Sequence, residues 1–202
     1  MNKTAINNIK KNGYHIFRSV LDKKEHLQYL KTVKKLKSYK QPGFFNQKST
    51  GRKLILNLQT KNTIFLKLLK NKLINEINIY FLNDKFYKSL SPKLPNYTLS
   101  QYAAAASGKE NLVLHVDDKV PSLSNNVNYL QWMIPLVDMN TKNGCTQIVS
   151  KTHKSGIFKP TLKKNTKLIN LFLNVGDMAV IDGRIWHCSE ANKTNEDRWL
   201  IV

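Results

Sequence analysis

Three residues in the second half of the chain have the types and spacing to hold a metal ion. His115 and Asp117 stand two apart at the end of the apolar run Leu112-Val-Leu. On a strand, residues i and i+2 share a face, so an imidazole and a carboxylate there can meet one ion. His187 ends a second run, Gly183-Arg-Ile-Trp, and from a neighbouring strand would complete a two-histidine, one-carboxylate triad. Three ligands on one face leave three coordination positions open, which suits Fe(II) handling O2 and a co-substrate. A His-x-Asp pair alone is weak evidence, and a strand-end histidine bonded to a carboxylate is the plain alternative.

Ser189 lies two residues beyond His187 and shares its face if the strand continues. Arg198 follows nine residues later, before the apolar run 199–202. A hairpin between them would set Arg198 beside Ser189. A buried guanidinium requires an anion, and a planar fork next to a hydroxyl is a good receptor for a carboxylate. Metal, hydroxyl and arginine in line fit a five-carbon dicarboxylate that chelates the metal at one end. The alternative is a surface pairing of Arg198 with Asp197, Glu196 or Glu190. Alternation sends Cys188 to the opposite face, into core, and turns Asp118 away from Asp117, toward solvent or substrate. His15 and His26 read as packing residues.

These side chains need a β scaffold, and the pattern supplies one. Short apolar runs separated by Gly, Asn, Asp, Lys and Ser occur at 98–103, 112–115, 129–137, 146–149, 168–173, 178–181, 185–189 and 199–202. Eight short strands at this spacing predict a sandwich or jelly roll. The first half reads differently. Residues 14–20 alternate as a strand. Asp22 and Glu25 form a capping box for a helix with Leu27, Leu30, Val33 and Leu36 as its stripe, running to about Tyr39 and stopped by Gln41-Pro42-Gly43. Residues 54–58 alternate as a strand, and 63–82 read as one long helix. The fold class is α+β: a jelly-roll core at 97–202 behind a mainly helical layer at 1–96, together a single domain over 1–202.

Composition narrows the class. The chain has 202 residues, 41% hydrophobic, with two cysteines, Cys145 and Cys188. That is enough apolar matter for a core and too little cysteine for a disulfide scaffold or a Cys-rich zinc module. No apolar run approaches the ~18 residues of a membrane span, and no signal-peptide core opens the chain, so a soluble, cytoplasmic protein is expected. The net charge is +20. Residues 1–100 carry 21 basic and 4 acidic side chains, whereas 101–202 carry 12 and 9. Carboxylate chemistry therefore belongs to the second half. A solvated lysine surface explains the first half; a nucleic-acid surface is the other reading, though arginine is scarce.

The sequence resembles the phytanoyl-CoA dioxygenase-like family of Fe(II)/2-oxoglutarate oxygenases, which includes ectoine hydroxylases. The resemblance rests on 12–25, on Leu114-His115-Val116-Asp117, on 132–144 continuing to 150–156, and on Gly176-Asp177, 182–189 and Arg198. It implies a double-stranded β-helix, cupin-like, with Fe(II) at His115, Asp117 and His187. It implies 2-oxoglutarate as co-substrate, held at its distal carboxylate by Ser189 and Arg198, and O2 as oxidant. Trp132 falls where the family has an active-site tryptophan, and Gln101 where some members have a co-substrate- or substrate-contacting glutamine. Related halogenases lack the metal carboxylate, so Asp117 points to hydroxylation.

Ser150-Lys-Thr-His153 replaces the family's usual Pro-Gly-Ser-His turn, which implies a different loop with His153 at the surface. The substrate is expected to be a small molecule, met by loops 42–50, 104–110 and 118–128, and a lysine-rich mouth suits an anionic one. Two alternatives to the enzyme reading stand: a non-catalytic, basic nucleic-acid-binding jelly roll, and an inactive oxygenase homologue.

Overall fold

The computed structural model describes residues 2–40, 51–86, 88–119 and 126–202. The expected helix stop at 41–43, the loop 42–50 and most of the loop 118–128 lie outside those residues.

The chain opens with a helix that the sequence reading did not foresee, α1 (Lys3–Asn12). The Asn2 side chain accepts the Ala5 N–H at 3.0 Å, and Gly13 ends the helix in the left-handed region at φ 86°. Strand β1 (Tyr14–Phe17) stops three residues short of its expected end, with Ser19 at φ 52°. Asp22 then caps α2 (Lys23–Lys35), accepting from the Lys24 and Glu25 amides at 2.7 and 3.1 Å. The buried stripe of α2 is His26, Tyr29 and Val33, and Leu27 is half exposed. A strict three-residue repeat drifts around a 3.6-residue helix, so Leu27 falls off the face that Val33 occupies, while Leu36 lies just past the helix end and packs against the core.

Strands β2 (Tyr39–Lys40) and β3 (Lys53–Leu56) follow, and Asn57 at φ 56° turns the chain into α3 (Leu58–Lys61). The long helix expected at 63–82 is broken. A 3-10 turn at Thr63–Phe65 runs into α4 (Leu66–Leu69), and α5 (Lys72–Leu82) starts afresh. Asn71 causes the break: its side chain accepts the Leu73 and Ile74 amides, which a continuous helix would bond to carbonyls.

The second half is β: β4 (Ala103–Ala106), β5 (Leu112–His115), β6 (Leu130–Pro135), β7 (Thr146–Val149), β8 (Ile169–Asn170), β9 (Met178–Asp182), β10 (Trp186–Ser189) and β11 (Trp199–Ile201). The expected strand at 98–103 is displaced to the alanine run. Alanine has little intrinsic strand preference, and pairing with β3 and β11 on both sides decides its state.

The strands form a seven-stranded sheet in the order β1-β9-β6-β11-β4-β3-β2 and a four-stranded sheet in the order β5-β10-β7-β8. The division expected near residue 96 is not clean, because β1, β2 and β3 belong to the larger sheet. Alternate residues of its central strands serve two cores. Met133, Ala179, Ile181 and Leu200 pack with Ile148 of the smaller sheet. Ile134, Val180 and Ile201 pack with Ile9, Tyr29, Phe65 and Ile77 of the helical layer. Two antiparallel sheets with helices outside one of them are a double-stranded β-helix of the cupin-like kind, as expected. Among the described residues, no helix is long and apolar enough to cross a membrane.

Candidate metal centre

His115 and His187 are direct Cα partners across the antiparallel pair β5 and β10, so their side chains leave the same face. Their ring centroids are 4.1 Å apart. The His115 Nδ1–H donates to the Val113 carbonyl at 2.7 Å, and the His187 Nδ1–H to the Ile185 carbonyl at 3.1 Å. A carbonyl only accepts, so each Nδ1 carries a proton, and Nε2 is the nitrogen each ring turns toward Asp117 and offers to a metal. The two Nε2 atoms lie 3.5 Å from Asp117, one from Oδ1 and the other from Oδ2. Asp117 Oδ2 is buried and accepts no hydrogen bond.

Lone pairs and carboxylate oxygens thus converge within 4.8 Å of one another. Such an arrangement is stable around a cation and repulsive without one. Oriented imidazoles of this kind, with their second nitrogens bonded behind them, are what a metal site requires.

The protonation states agree. Burial pushes the Asp117 carboxyl up, but its contact with His115 and the positive charge of His187, His115 and Arg52 outweigh that and hold it below the usual carboxylate range. Burial pushes His187 down, reinforced by His115 and opposed by Asp117, to about 4. At neutral pH the cluster is one carboxylate and a neutral His187 imidazole, the forms that bind a metal.

The turn at Asp182–Arg184 positions the centre. Arg184 grips Asp182 with two bonds, Nε to Oδ1 at 2.9 Å and Nη2 to Oδ2 at 2.7 Å. The Gly183 carbonyl accepts both the Asp117 and Asp118 amides at 2.9 Å. A side chain at 183 has no room: its Cβ would lie 2.5 Å from Tyr129 Cδ1 and 3.0 Å from Asp118 Cβ. The same tie corrects the expectation for Asp118, which is packed under this turn and buried rather than solvated.

A cavity of about 230 Å³ opens over the cluster, with Arg52, Gln101, His115, Asp117, Thr146 and His187 in its wall. Of the two further residues the resemblance singled out, Gln101 lines this cavity and Trp132 does not. On β6, Gln131 and Met133 line this cavity, and Trp132 points the other way. Its indole N–H donates to Asn78 Oδ1 at 2.8 Å and its ring stacks on Phe17, within the helical layer. Arg52 escaped the sequence reading. It sits in a lysine-rich stretch 63 positions before His115, and only folding brings its charge to Asp117.

Ser189 and Arg198 are not joined by a hairpin. Their strands belong to different sheets, and the connection between them crosses from one to the other. Asn192, buried in that connection, donates to the Glu196 carbonyl and accepts the Thr194 amide, shaping the crossing. Neither Ser189 nor Arg198 is among the described residues that line the cavity. Arg198 is buried, as its chemistry predicted, with Nη2 donating to the Gly144 carbonyl at 2.8 Å and Nε to the Asn143 carbonyl at 3.4 Å. The surface alternative fails at Asp197, which pairs with Lys53 at 2.7 Å. Burial, then the nearby Arg52 charge, pushes the Arg198 guanidinium down to about 10.

Cys188 is buried with its thiol 3.6 Å from Gln147 Oε1, but it lines the cavity together with His187 instead of entering the core as alternation predicted; the β5–β10 pairing is irregular between His187 and Ser189. His153, expected at the surface, is buried instead, its Nε2 3.2 Å from the Lys10 carbonyl at the end of α1. The unforeseen helix covers it.

The model of the phytanoyl-CoA dioxygenase (PhyH) family matches residues 9–199. The chain belongs to that family. A search of curated proteins finds no match. Solved structures of similar fold include the epimerase SnoN in complex with Fe3+, alpha ketoglutarate and nogalamycin RO (TM-score 0.71, 16% identity, 98% of this chain and 80% of that one). They also include HygX from Streptomyces hygroscopicus with nickel and 2-oxoglutarate bound (0.72, 16%, 100% and 85%). The carbocyclase SnoK from nogalamycin biosynthesis is a third (0.72, 15%, 100% and 82%). At these identities the likeness shows the fold, and it supports the double-stranded β-helix of this family member.

Proposed function

We propose that this protein is an Fe(II)- and 2-oxoglutarate-dependent dioxygenase that hydroxylates a C–H bond of a small-molecule substrate, with release of succinate and CO2. The observation that carries the reading is the meeting of two histidine nitrogens and an unpartnered carboxylate oxygen at one point, under a cavity, in a member of this family. Similar folds that hold a metal and 2-oxoglutarate support it. The ligands are His115, Asp117 and His187. When bound, iron and 2-oxoglutarate together supply an oxidant made from O2.

The chain's own residues position and shield. Ser189 is the Cα partner of Thr146, a cavity-wall residue, across β10 and β7. Arg198 stands two residues before Leu200, also in the wall, and bonds to Gly144, two residues before Thr146. Both therefore flank the Thr146–Leu200 end of the cavity. Arg198 donates two of its five N–H groups to carbonyls, and the others are available to a carboxylate there. We assign the distal carboxylate of 2-oxoglutarate to Ser189 and Arg198, and a polar contact with co-substrate or substrate to Gln101.

Anaerobic addition of Fe(II) and 2-oxoglutarate tests the reading. The expected result is the weak visible charge-transfer band of the chelate, followed by succinate release on admission of O2 and substrate. Absence of the band at saturating reagents overturns it.

A further inference from the structure

The positive charge of the second half is concentrated in one stretch. Residues 101–202 carry 12 basic and 9 acidic side chains. Lys151, Lys154, Lys159, Lys163, Lys164 and Lys167 are six of those twelve, and residues 151–176 contain no aspartate or glutamate. Outside this stretch the second half has 6 basic and 9 acidic residues and is net negative. All six lysines are exposed.

The same stretch, which connects β7 to β8 at the edge of the smaller sheet, also exposes apolar side chains. Ile157, Phe158 and Leu162 are 50%, 42% and 48% exposed, interleaved with the lysines. Its backbone is held at the root. The Thr152 hydroxyl donates to the Val149 carbonyl at 2.7 Å and accepts the Trp186 amide at 2.9 Å. The Trp186 indole N–H donates to the Ile157 carbonyl at 3.1 Å, and Ser155 Oγ accepts the Ile157 amide at 3.2 Å. Farther along, the Thr166 amide donates to the Lys163 carbonyl and the Thr166 hydroxyl accepts the Lys163 amide, both at 2.9 Å, closing a turn. The backbone is thus fixed while the apolar side chains stay open to solvent.

Clustered apolar side chains rimmed by one sign of charge mark an interaction surface, and the charge selects the partner. A second copy of this chain is a poor one. The net charge of +20, less these six lysines, leaves +14 on the rest of the molecule, which repels the stretch. A nucleic acid calls for arginine forks and stacked rings. Residues 151–176 contain no arginine, and two of the three exposed apolar side chains, Ile157 and Leu162, are aliphatic. An acidic bilayer fits both features. Its acyl boundary takes aliphatic and phenylalanine side chains, and lysines reach its anionic headgroups on their long stems.

We propose that the connection between β7 and β8 docks the protein on an anionic lipid bilayer. Ile157, Phe158 and Leu162 enter the boundary between headgroups and acyl chains, and the six lysines meet acidic headgroups. Attachment of this kind is peripheral and needs no spanning segment. The bond from Trp186 to Ile157 ties the surface to β10, one residue before His187, so docking orients the sheet that carries His115 and His187. The proposal stands apart from the oxygenase reading, since none of these residues lines the cavity over the metal cluster.

Co-sedimentation of the whole chain with vesicles tests it, using phosphatidylcholine alone or with about a third phosphatidylserine. Binding to the acidic vesicles is expected to be at least tenfold tighter. The variant Ile157→Ser with Leu162→Ser keeps every charge and should bind them about tenfold more weakly. Lys163→Gln with Lys164→Gln should lose at least tenfold, since each lysine at an anionic surface contributes about fivefold. Phe86→Ser removes a 90% exposed ring that follows α5, in the helical layer, and should leave binding unchanged. Every substituted side chain is exposed, so circular dichroism and melting should match wild type. Equal binding to the two kinds of vesicle overturns the proposal, as does wild-type binding by the Ile157→Ser, Leu162→Ser variant or an equal loss in Phe86→Ser. A labelled single-stranded oligonucleotide supplies the last arm. Oligonucleotide binding that the lysine pair controls and the apolar pair does not, without vesicle binding, assigns the surface to nucleic acid and overturns the lipid reading.

Discussion

The Gly183 carbonyl accepts the Asp117 amide at 2.9 Å, so the turn before one metal-binding strand holds the carboxylate that follows another. The bond unites the two halves of the centre, which are 70 residues apart between Asp117 and His187. It depends on the absence of a side chain at 183, where Tyr129 and Asp118 close over the backbone.

Gly183→Ala is therefore expected to destabilise the fold by roughly 1–3 kcal/mol, as overpacking does. It should also weaken metal binding by about tenfold or more, since Asp117 moves with the turn. Thermal melts and Co(II) titration measure the two effects. Wild-type affinity in the variant would remove the turn from the site.

Asp117→Ala removes the one anionic ligand. Metal affinity should fall on the order of 100-fold or more, beyond the loss typical of an outer-shell partner. At neutral pH the metal-free variant should melt lower than metal-free wild type, because the contact with His115 and the attraction to Arg52 that hold the carboxyl below its usual range in the folded state are lost. Titration calorimetry with Mn(II), alongside melts in chelator, checks both halves.

Arg198→Ala should keep metal binding and lose 2-oxoglutarate affinity by about 100-fold, the scale of one partner removed from a buried charged pair. It should also cost about 1–3 kcal/mol of stability, because the Gly144 and Asn143 carbonyls lose their donor. Arg198→Lys is expected to be intermediate, a point charge in place of a fork. Anaerobic titrations of the three proteins decide the matter, and equal affinities would exclude Arg198 from the co-substrate site.

The metal-free protein should lose stability as pH falls from about 6.5 to 4. The folded-state value of His187 is depressed from 6.5 to about 4. In that window the unfolded chain takes up a proton that the folded chain refuses, so protonation favours unfolding. His15 and His153 are also depressed by burial and act in the same direction. Denaturant midpoints at pH 7 and pH 5 measure the loss, and His187→Gln should reduce it. A midpoint independent of pH would show that His187 is not held neutral.

The metal triad and the β-class of the second half could be read from the chain because each rests on local periodicity. His115-x-Asp117 needs only strand alternation, and the apolar runs that became β5, β7 and β9 lie close to their expected positions. Side chains at i and i+2 share a face whatever the strand pairs with. What periodicity could not say is which face meets the cavity. Trp132 alternates correctly along β6, yet it serves the helical core, because the larger sheet buries both sides and the pattern on its central strands is apolar on each. Arg52 reaches the cluster, and Ser189 parts from Arg198, through sheet order alone. The long helix broke at Asn71 because a side-chain cap competed with the backbone. The sequence by itself determined the candidate ligands and the kind of scaffold. Tertiary structure decided the cavity, because empty space is bounded by residues distant in the chain, and its shape follows from how two sheets and a helical layer close on one another.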